Sequence, residues 1–343
     1  MKATLALLLL AAAPLSAQEA AKALRPLPDP NAGLLIEDVL GIPPEPLTAG
    51  SVEAAAYDGR DLPRRPSPIT VRFQVLLDRA GISPGVIDGH RGGMSESALR
   101  AFELREGLTV DGVLDPEVWA RLGGDGAGPV LAEYTITAED VADLTPEIPE
   151  DYAEKAELSA LGHQRVSERL SERFHMDEDF LVALNPGTGF NEGETVTVAD
   201  VGEPLEAEVA RIEVRKGTGR LAAFDAAGGM VANYPVTVGS ADTPSPEGRV
   251  EVVSVAWDPT YHYSPANFVQ GDNTEPLTLP AGPNGPVGSI WIDLSKPSYG
   301  LHGTPEPDGL FTAQSHGCVR LTNWDAEELG GMVKEGTVVE FVE

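Results

Sequence analysis

Cys318 is the only cysteine of the chain and stands in its densest cluster of reactive side chains, Ser315-His316-Gly317-Cys318-Val319-Arg320-Leu321, with His302-Gly303-Thr304 upstream. A free thiol, with a pKa near ~8.5, is mostly protonated at neutral pH, and a neighbouring imidazolium lowers that value and supplies the thiolate. Two histidines could serve. His316 is two positions away, which in a strand places it on the same face as Cys318, whereas His302 must return through a loop. Spacing leaves both open. Gly317 lets the backbone approach a tetrahedral intermediate closely, with the Cys318 amide as an oxyanion donor. Arg320 falls on the Cys318 face if the segment is extended, and a guanidinium there suits a substrate carboxylate.

These residue types describe nucleophilic acyl transfer. An inert buried thiol would leave the flanking glycines and the arginine without a reason. A zinc set of His302, His316, Cys318 and Asp308 fits no standard ligand spacing, and the chemistry requires no cofactor or metal.

Met1-Lys2, an apolar run through Ala13, Pro14 and the small-residue site Leu15-Ser16-Ala17 read as a signal peptide over residues 1–17, cut before Gln18. The run is too short to span a bilayer, which takes ~20 apolar residues. The sequence therefore predicts export to a periplasm and no membrane span after cleavage. Exported chains use cysteines in pairs, so a lone thiol calls for a functional reason. The formal net charge of −30 excludes a nucleic-acid partner, since phosphate binding needs clustered Lys and Arg.

The elements that position this cluster emerge from periodicity and turn residues. Residues 18–66 are a Pro-rich acidic linker that partly packs on the helices after it. Ile69, Phe73, Leu76 and Leu77 recur at helical spacing; a second helix starts around Ser95 with Ala98, Leu99 and Phe102; a third opens at Asp115-Pro116 with Val118, Trp119 and Leu122 inward. Residues 125–205 read as an acidic connector with helices over 167–174 and 177–184, Asn185-Pro186-Gly187 and a strand near 194–198. From Ala210 the pattern turns to strands, over 212–215, 221–225, 234–238, 250–256 and 289–294. A last helix capped by Thr322 or Asn323 and a strand over 337–342 close the chain. Trp119, Trp257, Trp291 and Trp324 read as core, His262 as structural, and His90, His163 and His175 as surface or capping residues.

The chain carries three resemblances. Phe73-Gln74, Val86-Ile87-Asp88-Gly89, Ala98-Leu99-Arg100-Ala101-Phe102, Gly107-Leu108 and Val110-Asp111-Gly112-Val113-Leu114-Asp115 resemble the peptidoglycan-binding type 1 domain over 67–124, departing from it at His90-Arg91-Gly92-Gly93-Met94-Ser95. Residues 165–201 resemble the later part of a LysM module. Ser315-His316-Gly317-Cys318-Val319-Arg320 with His302-Gly303-Thr304 looks like the signature of the L,D-transpeptidase (YkuD) catalytic domain, over 206–343. Pro283-Asn284-Gly285-Pro286-Val287-Gly288, Tyr299-Gly300-Leu301 and Trp257-Asp258-Pro259-Thr260-Tyr261-His262-Tyr263 also match.

The first and last resemblances together imply a multi-domain protein: a small all-α three-helix domain and a C-terminal β-rich YkuD-like catalytic domain. The L,D-transpeptidase resemblance implies Cys318 as nucleophile, His302 as base oriented by a backbone carbonyl such as that of Gly303, and Gly317 as part of the catalytic turn. His316, Ser315 and Arg320 would contact or hold the peptide, and Tyr263 would line the site. The implied reaction is attack on the bond between a diamino acid and the terminal D-alanine of a stem tetrapeptide, then transfer to an amine as a 3→3 cross-link. The partners are peptidoglycan stem peptides and glycan, with an outer-membrane protein as another acceptor. A hydrolase or a protein-to-peptidoglycan ligase using the same site, and a non-catalytic wall-binding protein, are the competing readings.

Overall fold

The computed structural model describes residues 45–239, 245–266, 270–311 and 317–343. The signal-peptide reading over 1–17 lies outside them, as do Ser315 and His316.

The N-terminal half is built from short capped helices. Helix α1 (Ala49–Ala54) is opened by Thr48, whose hydroxyl accepts from Ser51 N. Helix α2 (Pro68–Arg79) is capped by Ser67, α3 (Gly93–Glu106) ends on Gly107 in the left-handed region, and α4 (Pro116–Arg121) is capped by Asp115. Two turns between these helices are held by buried side chains. Gln74 accepts from the amides of Asp88 and Gly89, and Glu103 accepts from those of Asp111 and Gly112. Burial raises the Glu103 carboxyl to about 7.

Strand β1 (Leu131–Thr135) pairs antiparallel with β2 (Thr195–Ala199), and between them in sequence lie α5 (Tyr152–Ala156), α6 (Val166–Arg173) and α7 (Glu178–Leu184). β1 falls in the stretch whose sequence reads as connector. Its alternation is masked because only Leu131 of its five residues is fully buried. A single cluster of buried side chains runs from Val52 through Phe73, Phe102 and Leu170 to Ala199. The accessory helices and the β1–β2 unit therefore share one core rather than sitting as separate beads, and the part of the expected linker that is described supplies Val52 and Leu62 to it.

The C-terminal half is a mixed eight-stranded sheet of β3 (Arg211–Arg215), β4 (Arg220–Phe224), β5 (Met230–Pro235), β6 (Gly248–Trp257), β9 (Ile290–Leu294), β10 (Gly300–His302), β11 (Val319–Arg320) and β12 (Val338–Val342), in the order β11-β10-β9-β6-β12-β3-β4-β5. The first residues of β6 pair with β12 and its last with β9. A separate hairpin is formed by β7 (Tyr261–Tyr263) and β8 (Leu277–Leu279). Helix α8 (Asn323–Met332), capped by Thr322 accepting from Asp325 N, buries Ala326, Leu329 and Met332 in the core of this half.

The two halves meet on a polar seam. Ser83 N donates to Asn233 O at 2.9 Å and Asn233 N to Gly81 O at 2.8 Å, which extends the sheet beyond β5. Asn323 Nδ2 reaches Glu172 on α6 at 3.0 and 3.1 Å. The surface or capping role expected for His175 is corrected: its ring stacks on Trp324 at 5.3 Å and pairs with Asp78 at 2.9 Å. Of the four tryptophans, Trp119 and Trp324 are core as expected. Trp257, at the end of β6, is 54% exposed, and Trp291 is half-buried on β9, an interior strand of the sheet.

Candidate active site

β10 and β11 run parallel, with Leu301 beside Val319 and His302 beside Arg320. Continuing that register back one residue puts Cys318 beside Gly300. Side chains alternate across a strand, so Cys318, Arg320, Gly300 and His302 share one face, while Leu301 and Val319 point into the core, where both are fully buried. β9 adds Trp291 opposite His302 on the same face. The two-residue alternation of Ile290, Ile292 and Leu294 (buried) with Trp291 and Asp293 (half-buried) makes this possible.

The side chains converge on a cleft of about 1030 Å³ lined by Cys318, His302, Arg320, Trp291, Tyr261 and Lys155, among others. His302 is 4% exposed. Its Nδ1 lies 2.7 Å from Gly303 O. A carbonyl only accepts, so Nδ1 carries the proton and the lone pair resides on Nε2. The ring stacks on Trp291 with 5.5 Å between centroids and 18° between planes. Gly300 makes room for that indole: a Cβ at this position would lie 2.5 Å from Trp291 Cζ2.

Burial pushes the His302 imidazolium down to about 4, with the Gly303 carbonyl opposing and Arg320 adding to the shift. Burial also pushes the Cys318 thiol up, with the Gly300 amide and Arg320 opposing. The thiol donates to Ser298 O at 3.8 Å. Both shifts favour the neutral pair at neutral pH, whereas the residue types alone pointed to an imidazolium beside a thiolate. The reason is local: with the imidazole under Trp291 and the sulfur partly covered, both charged forms lose water.

Gly317 is buried with φ +113, in the region that favours glycine, and its carbonyl accepts from Ser245 Oγ at 2.9 Å. Arg320 exchanges backbone hydrogen bonds with Thr237. Tyr263 is 1% exposed and lies beneath the β7–β8 hairpin, where its hydroxyl donates to Asn273 O at 3.1 Å and accepts from Gln270 N. The tyrosine of that hairpin that lines the cleft is Tyr261. Alternation along the three residues of β7 is the signal that separates them. Trp291 and Lys155 were not singled out for the site by their sequence context. Trp291 sits in an ordinary alternating strand, and Lys155 in a segment read as connector.

A thiol and a neutral imidazole on one sheet face, lining a cleft with a guanidinium, define the class of a thiol acyltransferase. Residues 209–341 match the L,D-transpeptidase catalytic domain (YkuD), and residues 68–122 match the peptidoglycan binding domain PG_binding_1. The chain thus carries an L,D-transpeptidase catalytic domain, is an enzyme of that class, and has peptidoglycan as its partner.

The chain is 29% identical to the Bacillus licheniformis protein that bears the name L,D-transpeptidase YkuD, over 51% of this chain and 92% of that one. The Bacillus subtilis protein of the same name is 27% identical, over 48% and 87%. The Salmonella typhimurium L,D-transpeptidase ErfK/SrfK is 30% identical over 36% of this chain but only 41% of its own length. Among solved structures, an L,D-transpeptidase from Xylanimonas cellulosilytica overlaps 84% of this chain and 98% of its own at 17% identity, with a TM-score of 0.36. L,D-transpeptidase 3 from Mycobacterium tuberculosis overlaps 44% and 76% at 17% identity, with a TM-score of 0.31. Among the described residues no helix is long and apolar enough to cross a membrane.

Proposed function

We propose that Cys318 attacks the carbonyl joining the diamino acid to the terminal D-alanine of a stem tetrapeptide and passes the acyl group to an amine, forming a 3→3 cross-link. As the Sγ–C bond forms, the thiol proton moves to His302 Nε2. The imidazolium then protonates the departing D-alanine nitrogen as the C–N bond breaks, leaving a thioester. An acceptor amine attacks that thioester, gives its proton to the regenerated Nε2, and Cys318 leaves as the thiol. The Cys318 amide donates to the developing oxyanion and Arg320 holds a substrate carboxylate.

The observation that carries this reading is the bond from His302 Nδ1 to Gly303 O, which fixes the tautomer and leaves Nε2 as a base in the cleft shared with Cys318. Gly303 acts through its carbonyl. The work is done in the periplasm after removal of residues 1–17, on peptidoglycan held near the site by the residues matching the binding domain. An outer-membrane protein lysine is a second acceptor for the same thioester.

Incubation with disaccharide tetrapeptide tests the proposal: D-alanine and a cross-linked dimer are expected, and both vanish in Cys318→Ala. Mass spectrometry after a carbapenem is expected to place one adduct on Cys318. Trimmed monomer without dimer would overturn transfer to an amine in favour of hydrolysis, and no adduct would overturn the nucleophile.

A further inference from the structure

Part of the cleft wall is supplied by helix α5 (Tyr152–Ala156), which lies outside both matched segments. It is fastened to the β7–β8 hairpin rather than left hanging. Its cap Asp151 accepts from Asn273 Nδ2 at 2.9 Å, and Tyr152 N donates to Gln270 Oε1 at 3.1 Å. Downstream, Leu161 N donates to Ala281 O at 2.8 Å and Asn284 N to Leu161 O at 3.0 Å. The Tyr152 ring meets Tyr261 and Tyr263 edge-on at 6.2 and 5.4 Å. Leu161, Tyr263 and Leu279 form a small buried core beneath.

The consequence is a second cation in the cleft. Lys155 Nζ sits 5.5 Å from the centroid of the Tyr152 ring and lines the same cavity as Cys318, His302 and Arg320. Arg320 lies near enough to Tyr152 to act on its phenol. The chain has 54 acidic against 24 basic residues, yet among the described residues lining this cleft two are cationic, Lys155 and Arg320, and one, Glu306, is a carboxylate. The local sign is the reverse of the chain's. Burial also pulls Lys155 below its ordinary value, with Glu306 and Glu150 opposing. A partly dehydrated ammonium gains more from a new anion than a hydrated one does.

We infer that Lys155, backed by Tyr152, forms a subsite for a carboxylate of the donor peptide distinct from the one held by Arg320. The occupant is a peptide bearing two carboxylates near the attacked carbonyl, the second being the side-chain carboxylate of its diamino acid. The connector, and not the matched catalytic domain alone, completes the substrate site. This inference rests on the acyl-transfer reading above, and its test is built to be read without any acyl step.

Full-length Cys318→Ala protein, alone and combined with Lys155→Ala or Lys155→Arg, is titrated by calorimetry with two tetrapeptides. One has the diamino-acid side-chain carboxylate free, and the other has it amidated. With Lys155 present the free peptide is expected to bind about tenfold more tightly than the amidated one. Lys155→Ala is expected to erase that preference while leaving the amidated peptide's Kd unchanged, and Lys155→Arg to keep most of it. Equal weakening of both peptides, or no preference with Lys155 in place, overturns the subsite. Failure of the nucleophile would show instead as a missing carbapenem adduct on unaltered Cys318.

Discussion

The Trp291 indole lies almost parallel to the His302 imidazole, 18° from coplanar, over the same ring whose Nδ1 is bound to Gly303 O. The stack covers one face of that ring, and burial, with Arg320 adding to it, lowers the imidazole to about 4. In the proposed mechanism protonating Nε2 removes the base, so kcat/KM is predicted to stay level down to about pH 5 and to fall as pH drops through about 4. Trp291→Ala rehydrates the ring and should move the acid limb up toward the ordinary ~6.5, with a loss of roughly tenfold or more in kcat. Profiles of both proteins from roughly pH 3.5 to 9 check this. A wild-type limb near 6.5 would contradict it.

Gly300 is the second half of that arrangement, because a methyl there meets the indole at 2.5 Å. Gly300→Ala is predicted to displace Trp291 and tilt His302, lowering kcat/KM roughly a hundredfold, with a loss of about 1 to 3 kcal/mol in stability from overpacking. Adding Trp291→Leu should recover the stability and not the activity, a coupling that thermal melts and kinetics of the double-mutant cycle read separately.

Arg220 on β4 is fully buried at the seam. Its Nε donates to Asn233 Oδ1 at 2.6 Å, and Nη2 donates to Ser83 O at 3.0 Å and Asn233 O at 2.9 Å. Burial pulls the guanidinium down to about 9, with Asp325 opposing. Arg220→Met fills similar volume but strands the Ser83 and Asn233 acceptors, so a loss of roughly 2 to 3 kcal/mol is predicted. Arg220→Lys should cost nearly as much, since an ammonium cannot span three acceptors held in a fork. Chemical denaturation of the full chain gives both numbers.

Much of this arrangement is written locally in the sequence. Ser67, Asp115 and Thr322 announce their helices because a cap acts within three residues. The alternation of Ile290, Trp291, Ile292 and Asp293 announces β9 for the same reason. The strand expected over 234–238 instead runs over Met230–Pro235, since β-propensity in Tyr234 to Val238 does not reveal which partner's register decides the ends. β10 and β11 are three and two residues long, too short for any period, so only the His302 and Cys318 motifs marked them. Lys155 and Trp291 could not be placed at the site from sequence, since one arrives from a distant segment and the other through pairing across a sheet. The direction of the His302 and Cys318 shifts was equally hidden, because it depends on burial and not on which residues are neighbours.

Asp325 shows the cost of joining the two halves through titratable groups. It sits on α8, buried, accepting from Ser83 Oγ at 2.9 Å. Burial raises its carboxyl to about 7, with Asp78 adding to the rise and His175, Ser83 and Thr322 opposing. Burial pulls His175 down, but Asp78, Asp325 and Glu328 outweigh it and leave the imidazole above its ordinary value. Asp325 has a folded-state value above its unfolded one, so its contribution to stability is fully present below about pH 4 and is lost as pH rises through about 7. His302 works in the opposite sense: its contribution is present above about 6.5 and lost as pH falls through about 4. Asp325→Asn keeps an acceptor for Ser83 while removing the charge. It is predicted to leave Tm nearly unchanged near pH 3 and to raise stability on the order of 4 kcal/mol near pH 8, as melts at the two pH values would measure. A variant that is less stable than wild type at pH 8 would mean that the ionised carboxylate is held by His175 strongly enough to offset its burial.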